Sequence, residues 1–217
     1  MEKLYILIVV AAYLIGAIPF GYILAKWFAK TDLRKIGSGS TGATNALRAG
    51  GKWVALATLV LDAAKPVAAY FAAIAFARAM NGGIVLEIGL YLYDFELKVV
   101  VAALAVLAHC FPVYLGFKGG KGVATAWGTM WLFSPWLALA SIGVWIVAIT
   151  ATRKSSLSAL TAAAFVPLWA RLFAPESFWL YVGMVLFVIL RHASNIRRLM
   201  VGTESRVEFS KERDAGK

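Results

Sequence analysis

Long apolar runs alternate with short, glycine-rich or basic polar stretches along almost the whole chain. The runs cover approximately residues 4–26, 53–80, 98–116, 122–133, 136–152, 155–173 and 177–194. Several of them exceed the roughly 18 residues that mark a membrane-spanning helix. The pattern therefore predicts an all-α integral membrane protein, a seven-transmembrane helix bundle formed by a single domain over residues 1–217.

The fourth run, 122–133, is too short to cross the hydrocarbon core as a straight helix. Ser134-Pro135 follows it, and proline breaks helices because it lacks an N–H and clashes with the preceding turn. We therefore predict two segments over 122–152 in preference to one long kinked helix. The short segment would be a half-span buried among its neighbours, or one arm of a bent hairpin with 136–152.

The first run, 4–26, is too long for the core of a signal peptide. It also lacks a strongly basic segment before it and a clear cleavage site of small residues. It is predicted to be a retained helix.

Composition and charge agree with a membrane protein. The chain is 61% hydrophobic and 15% charged, with a mean hydropathy of +0.77. Of its 22 Lys and Arg residues, 17 lie in 26–52, 117–121, 153–154 and 191–217, which alternate loops would place on one side of the membrane. The positive-inside rule then puts the N-terminus outside, the C-terminus in the cytoplasm, and all the glycine-rich basic loops on the cytoplasmic face.

The net charge of +11 would suggest nucleic acid for a soluble chain. Here the charge lies between apolar spans, so it indicates membrane orientation and contact with anionic head groups instead. The single Cys110 excludes a disulfide framework. No His/Cys spacing or acidic cluster of the kind that holds a metal is present in the sequence, and no metal or other cofactor is expected.

The first polar loop, Gly37–Arg48 (GSGSTGATNALR), has the glycine spacing of a dinucleotide fingerprint. That fingerprint needs a strand before it and an acidic residue about 20 residues on. Here a membrane segment precedes the loop, and the nearest acid, Asp32, lies on the wrong side. The glycines instead allow a tight fold that aims N–H groups at an anion, and the hydroxyls and Arg48 add donors. We predict an anion-binding loop in preference to a flexible linker. Its binding residues are Gly37, Ser38, Gly39, Gly42, Thr44, Asn45 and Arg48.

The second loop, Phe117–Thr125 (FKGGKGVAT), has two lysines around a glycine pair directly before the short fourth segment. Its spacing is not that of a Walker loop, because a glycine follows the second lysine where Ser or Thr is needed. The N-terminus of the next helix offers unpaired N–H groups and the positive end of a helix dipole. A topology anchor would explain the lysines but not the glycines, so we predict a second anion site. It comprises Lys118, Gly119, Gly120, Lys121 and Gly122.

The third segment, Arg191–Arg206, carries a histidine, an asparagine and several arginines at the end of the last run. If the seventh helix continues through it, His192 and Asn195 lie at i and i+3 on one face at the membrane surface. A histidine there is often only a capping group, but this combination favours a functional role. Glu204 could orient one of the basic residues through a salt bridge. Ser156 could reach the same face, although a role in a helix N-cap is about equally compatible.

Asp62 and Lys65 lie at i and i+3 inside the second run and can form an ion pair there. Charges within a membrane often indicate function. The preferred interpretation here is a structural ion pair that holds the bundle together.

Three basic loops at one membrane face could together hold more than one phosphate. A transporter would also bind anions, but its site normally lies near the bilayer midplane between repeats. This chain has no evident internal repeat, and its polar groups lie at one end of the spans. The pattern favours an interfacial enzyme with one polar and one lipid substrate. A transporter of small anions or lipid head groups is the alternative.

The three segments GSGSTGATNALR, FKGGKGVAT and RHASNIRRLMVGTES closely resemble, in this order, the signature loops of the bacterial acyl-phosphate:glycerol-3-phosphate acyltransferases, the PlsY family. The resemblance covers nearly the whole chain. It implies seven spans in the bacterial cytoplasmic (inner) membrane, with the active site on the cytoplasmic face. Ser40 stands where the family usually has Asn, which could alter the hydrogen bonding of the first loop.

The resemblance implies transfer of a fatty acyl group from acyl phosphate to the 1-hydroxyl of sn-glycerol 3-phosphate. The products would be lysophosphatidic acid and phosphate, in the first step of phospholipid synthesis. An acyl phosphate is a mixed anhydride with a good leaving group. The enzyme would therefore need to orient two anions, stabilise an oxyanion and help to remove a hydroxyl proton, without a metal.

The residues expected to be catalytic are Ser38, Lys118 and His192. The first two loops are expected to hold the acyl phosphate. Arg48, His192 and Asn195 would hold glycerol 3-phosphate, with a lysine of the second loop shared, and Ser156 and Glu204 are grouped with the binding residues. His192 is the best side-chain candidate for the general base, and the phosphate of the donor is the alternative acceptor of the proton.

Overall fold

The computed structural model describes residues 2–81 and 94–207, and in them nearly all regular structure is helical. The α-helices are α1 (Glu2–Ala17), α2 (Phe20–Phe28), α3 (Ala43–Asn81), α4 (Asp94–Cys110), α5 (Val123–Met130), α6 (Pro135–Thr152), α7 (Ser155–Phe173), α8 (Phe178–Arg191) and α9 (Ala193–Met200). Short 3-10 helices cover Leu33–Lys35, Val113–Leu115 and Pro175–Ser177. The last ten residues of the basic C-terminal segment, 208–217, lie outside the described residues.

Five helical stretches are long and apolar enough to cross a membrane, and the prediction of an all-α membrane protein is confirmed. They are Ile6–Phe28, Ala43–Phe76, Asp94–Leu115, Pro135–Thr152 and Ser155–Phe173. Helices α8 and α9 would form a sixth if taken together, but they are bent by 61° at their junction. Helix α5 has only eight residues and is too short to span the hydrocarbon core.

The first apolar run forms one candidate span, Ile6–Phe28, but it consists of two helices, and the single unbroken helix predicted over 4–26 is wrong in that respect. Helix α1 ends at Ala17 and α2 begins at Phe20, with Pro19 between them at φ −89° and ψ 71°. Proline cannot donate a backbone hydrogen bond, and it disfavours the helical conformation of the residue before it. After the break, α2 packs against α3.

Helix α3 begins ten residues earlier than predicted. Residues 43–50 of the first polar loop are helical, and Gly51 interrupts the helix with φ 77° and ψ −173°, a conformation that favours glycine. The second half of the GSGSTGATNALR sequence is thus a short helix, which places Thr44 and Arg48 four residues apart on one face.

The segment 122–152 is two helices, as predicted. Helix α5 ends at Met130, a turn follows, and Pro135 is the first residue of α6. The indole Nε1 of Trp127 donates to the carbonyl of Ala138 over 2.8 Å, which ties α5 to α6.

The last helix does not continue through the third basic segment, so the continuous helix considered from the sequence is wrong. It breaks at His192, which has φ −99° and ψ 7°. No proline or glycine lies at this break. The imidazole Nδ1 of His192 lies 2.8 Å from the carbonyl oxygen of Val188, which the backbone N–H of His192 also contacts at 3.1 Å. This side-chain bond competes for a carbonyl of the helix and marks the bend.

Small residues let the helices approach closely. A Cβ on Gly128 of α5 would overlap the carbonyl oxygen of Ala63 in α3. A Cβ on Gly16 of α1 would lie 2.7 Å from the Cα of Ala105 in α4. The hydrophobic effect does not drive helices together inside a membrane, so close van der Waals contacts of this kind stabilise helix packing instead. They bring α5 against the middle of α3, beside the cavity described next.

Candidate active site

A cavity of about 710 Å³ lies between α3 and the helices α5 to α9. One end is polar and is lined by Gly37, Ser38, Ser40, Gly42, Thr44, Asn45, Arg48, Lys121, Gly122, Ser155, Ser156, His192, Asn195, Arg198, Glu204 and Ser205. The other part is apolar and includes Leu59, Trp127, Met130, Ile142, Trp145, Ile149, Ala163, Val166, Met184 and Val185. The cavity therefore joins an ion-binding mouth to a space suited to an apolar chain.

Asn45 organises the first loop. Its buried Nδ2 donates to the carbonyls of Leu33, Ile36 and Ser40 over 2.8, 3.0 and 2.9 Å. Gly37 has φ +53°, and a Cβ there would lie 2.6 Å from Asn45 Oδ1. Asn45 also lines the cavity, but its amide nitrogen is committed to holding the loop.

We expect Asn45→Asp to lower the free energy of unfolding by about 3 kcal/mol, because a carboxylate would face three carbonyl oxygens without a donor. Thermal unfolding of the purified protein in detergent measures this. Ser40→Ala is the matched control, since the Ser40 hydroxyl only accepts a long bond of 3.4 Å from the Gly42 N–H. Equal stability of Asn45→Asp and the unmodified protein would contradict the conclusion that Asn45 holds the first loop in place.

Two polar side chains of the first loop reach other segments of the chain. Thr44 Oγ1 lies 2.7 Å from Ser155 Oγ at the start of α7. Arg48 Nη2 donates to Ser205 Oγ over 2.6 Å. The exposed Ser38 lines the cavity mouth. These contacts bring the first loop, the α6–α7 turn and the C-terminal segment together.

The glycines of the second loop serve two different purposes. The N–H groups of Gly119 and Gly120 donate to the carbonyls of Cys110 and His109 over 3.2 and 3.1 Å. A Cβ on Gly119 would overlap His109 O, and one on Gly120 would overlap His109 Nε2. Gly122 has φ +82° and lies at the N-cap of α5, where it lines the cavity. The first two glycines are therefore needed for packing, and only the third is at the cavity.

The two lysines of the second loop are placed differently. Lys121 is half-buried and lines the cavity, whereas Lys118 is exposed. Of the predicted residues, all within the described part of the chain, Gly39, Lys118, Gly119 and Gly120 do not line the cavity. The pKa of Lys121 is lowered to about 8, chiefly by burial and also by the positive charges of Arg198, Arg48 and Arg191, while Glu204 opposes the shift. An anion beside Lys121 would restore its preference for the charged form.

His192 is held by a hydrogen bond from one of its ring nitrogens. Its Nδ1 lies 2.8 Å from the Val188 carbonyl, which can only accept, so Nδ1 carries the proton. In the neutral ring Nε2 is then the acceptor. His192 is buried and lines the cavity. The geometry provides a proton acceptor at the polar end.

Glu204 is the centre of a buried hydrogen-bond network. Its Oε1 accepts from Ser156 Oγ over 2.6 Å and from Asn195 Nδ2 over 2.7 Å. Its Oε2 accepts from Arg198 Nε over 2.7 Å. Burial acts to raise the pKa of Glu204, but these three donors outweigh it and hold the pKa below the usual value. Asn195 Oδ1 is buried and has no hydrogen-bond partner among the residues that the structure describes. The network thus orients Asn195, and this unpaired acceptor belongs to a residue that lines the cavity.

The sequence analysis did not assign to the site several residues that line the cavity. They are Asp62, His109, Ser155, Arg198 and Ser205. Asp62 forms the predicted ion pair with Lys65 at 2.7 Å. The paired charges within an apolar run were the available signal for Asp62. His109 had no comparable signal, because its partners are distant in the sequence. No group of three or more His, Cys, Asp or Glu side chains within 2–81 and 94–207 is arranged to hold a metal.

Comparison with known proteins identifies the family. The family model for glycerol-3-phosphate acyltransferase matches residues 6–202. The glycerol-3-phosphate acyltransferase of Dinoroseobacter shibae is 44% identical to this chain over 208 residues, with 94% of each chain covered. That of Methylobacillus flagellatus is 45% identical, with 91% of this chain and 94% of the relative covered.

Two solved structures have the same fold. Both are of PlsY (YgiH), an integral membrane glycerol 3-phosphate acyltransferase. Its glycerol 3-phosphate form aligns with a TM-score of 0.79 at 34% identity, covering 94% of this chain and 95% of that one. Its lysophosphatidic acid form aligns with a TM-score of 0.76 at 33% identity, with the same coverage. The identity of these chains, the shared fold and the three loop sequences around one cavity lead to one conclusion: the chain belongs to the PlsY family of integral membrane glycerol-3-phosphate acyltransferases.

Proposed function

We propose that this acyltransferase takes its acyl group from acyl phosphate and transfers it to the 1-hydroxyl of sn-glycerol 3-phosphate, giving lysophosphatidic acid and phosphate. The observation that carries the proposal is the cavity itself, whose cationic mouth continues into an apolar space between α5, α6, α7 and α8. An acyl phosphate has the same two parts, an anionic head and an apolar chain.

The polar end offers complementary groups for two phosphates. Arg48 and Lys121 line it as cations, and Gly122 begins α5 with backbone N–H groups that suit an anion. Ser38 and the first loop would hold the acyl phosphate. His192 Nε2 and Asn195 Oδ1 are acceptors that suit the hydroxyl groups of glycerol 3-phosphate. Bringing the hydroxyl and the acyl carbon together in one cavity supplies the main rate enhancement, because the leaving group is already good.

We further propose seven membrane segments, including the short α5, with the N-terminus outside and the active site on the cytoplasmic face of the bacterial inner membrane. The grouping of the basic loops supports this topology. The Val207 N–H donates to the Arg153 carbonyl over 2.6 Å, and Arg48 reaches Ser205. Three of the four basic segments therefore contact one another, which supports their placement on one side under the positive-inside rule.

Purified protein in detergent tests the donor. We expect lysophosphatidic acid to form from acyl phosphate and sn-glycerol 3-phosphate without added Mg²⁺, and little product from acyl-CoA or from acylated acyl carrier protein at equal concentration. Mass spectrometry of the product and release of inorganic phosphate measure the reaction. Product from acyl-CoA alone would overturn the proposed donor. Vectorial uptake of an anion into liposomes without product would favour the transporter alternative.

The rate should depend on the protonation of Lys121. Its pKa is lowered to about 8, so the charged form is present below that pH and is lost as the pH rises through it. We expect kcat/KM for glycerol 3-phosphate to fall as the pH rises through about 8, because this ratio reports on the free enzyme. Lys121→Arg should move the fall to higher pH, since arginine stays charged. An unshifted profile in this variant would assign the titration to another group.

A pH–rate profile of His192→Ala distinguishes the two candidate proton acceptors. If His192 is the general base, kcat at saturating substrates falls by about 10²–10⁴-fold in the variant, and the acidic limb of the pH–rate profile disappears. If the phosphate of the donor accepts the proton, substantial kcat remains with an unshifted profile, and the loss is confined to KM. His192 would then be a binding residue.

A further inference from the structure

A buried cluster of three titratable side chains lies between α3 and α4, beneath the second loop. Asp62, Lys65 and His109 are 1%, 2% and 6% exposed. Lys65 Nζ lies 2.7 Å from Asp62 Oδ1 and 3.3 Å from His109 Nδ1. The Phe20 ring, at the break between α1 and α2, covers the ammonium group at 5.3 Å from its centroid. Together these contacts surround the cation.

The contacts assign a direction to the His109 ring. His109 Nδ1 lies 3.3 Å from Lys65 Nζ and 3.6 Å from Asp62 Oδ1, so this edge of the ring faces the ion pair. The Nε2 side of the ring faces Gly120, where a Cβ would overlap it. The backbone of Gly120 is fixed on both sides, since its N–H donates to the His109 carbonyl over 3.1 Å and its carbonyl accepts from Arg191 Nη2 over 2.9 Å.

Lys121, the cation at the cavity mouth, is the next residue in the chain. A continuous series of contacts thus leads from the ion pair through the imidazole to the backbone that carries Lys121. From this geometry we infer that Asp62, Lys65 and His109 are positioning residues of the acyltransferase, which hold the His109 ring against Gly120 and thereby fix Lys121 in the cavity. The inference rests on the proposed role of Lys121 in binding the substrates.

Asp62 and Lys65 are both on α3, so within the described part of the chain the ion pair reaches α4 only through His109. His109 is on α4, Lys65 is on α3, and the two are separated by 44 positions in the chain. The ring fills the space between the ion pair and Gly120. A loss of the ring would leave the second loop unsupported on this side, and a displacement of about 1 Å can lower a rate by about 10²-fold.

A double-mutant cycle between His109 and Gly120 tests the contact. We expect His109→Ala and Gly120→Ala each to lower kcat by about tenfold or more, through loss of support and through overlap with the ring. Gly120 has no positive φ, so alanine is compatible with its backbone. In the double variant the new methyl group enters the space left by the ring. Its kcat should therefore be clearly higher than the product of the two single losses predicts.

Gly119→Ala is the matched control. A Cβ there would overlap the backbone carbonyl of His109, which His109→Ala retains. The losses of Gly119→Ala and His109→Ala should therefore multiply. If the losses of Gly120→Ala and His109→Ala also multiplied, the inference would be overturned, because the ring would then have no specific contact with Gly120.

The charge pair is tested by Asp62→Asn combined with Lys65→Met. Removing both charges leaves no unpaired ion, and such replacements usually preserve folding. We expect a monodisperse protein with a thermal midpoint near that of the unmodified enzyme but about tenfold lower kcat, since the His109 ring has lost the ion pair that contacts its Nδ1. A folded variant with full kcat would show that the pair is only structural.

The dissociation constant for glycerol 3-phosphate, measured by calorimetry on each variant, separates this inference from the choice of donor. An unmodified enzyme that makes no product from acyl phosphate overturns the proposed donor. In that case the double-mutant cycle is evaluated from the dissociation constants for glycerol 3-phosphate, and we expect the same coupling between positions 109 and 120. Independent losses in binding would overturn the positioning role.

Discussion

Lys121→Ala is expected to lower kcat/KM by about 10²–10³-fold, the cost of removing one preorganised charge from a site of acyl transfer. Lys121 lines the polar end of the cavity, is half-buried, and follows a loop backbone that is fixed to α4 and α8. A cation held in this way stabilises the charge that develops on the donor without reorganisation during the reaction. Steady-state kinetics with both substrates varied would show the loss mainly in kcat.

Lys118→Ala is the matched control, with the same residue type three positions away in the same loop. Lys118 is exposed and lies outside the cavity lining. The expected change is small, because an exposed charge in water is strongly screened. Equal losses in the two variants would contradict the distinction drawn between them. Comparing the two variants shows which lysine of the FKGGKGVAT loop contributes to catalysis, which the sequence alone does not reveal.

The sequence predicts the class of fold because hydrophobic length is a property of each segment alone. The runs at 136–152 and 155–173 agree with α6 and α7 almost to the residue. The break at His192 could not be foreseen in this way. It involves a side-chain bond to Val188 rather than a proline or glycine.

The motif residues predicted for the chemistry of their side chains are brought together in the structure. Arg48, Lys121, Asn195 and Glu204 all line one cavity. Gly119 and Gly120 illustrate what a single sequence does not contain. The sequence does not distinguish a glycine that lets the backbone approach an anion from a glycine that lets it approach a distant imidazole. Here only the position of His109 in the structure distinguishes them.

Glu204→Ala should lower kcat/KM by about 10²-fold, because it releases the side chains that form the glycerol 3-phosphate end of the cavity. The Glu204 carboxylate accepts from Ser156, Asn195 and Arg198. Without it, the Asn195 amide can rotate and its free Oδ1 no longer has a fixed direction. Arg198 also loses its ion pair beside Lys121, so the local positive potential rises.

Graded replacements make this expectation specific. Glu204→Gln keeps an oxygen acceptor for Ser156 and Asn195 but faces Arg198 with an NH₂ group, so its loss should be smaller than that of Glu204→Ala. Glu176→Ala is the control, because Glu176 is exposed in the turn before α8 and should leave kcat/KM unchanged. If Glu204→Ala and Glu204→Gln lost equal activity, the ion pair with Arg198 would be the important contact. If neither variant lost activity, the network would not position Asn195, and its free oxygen would have no part in binding glycerol 3-phosphate.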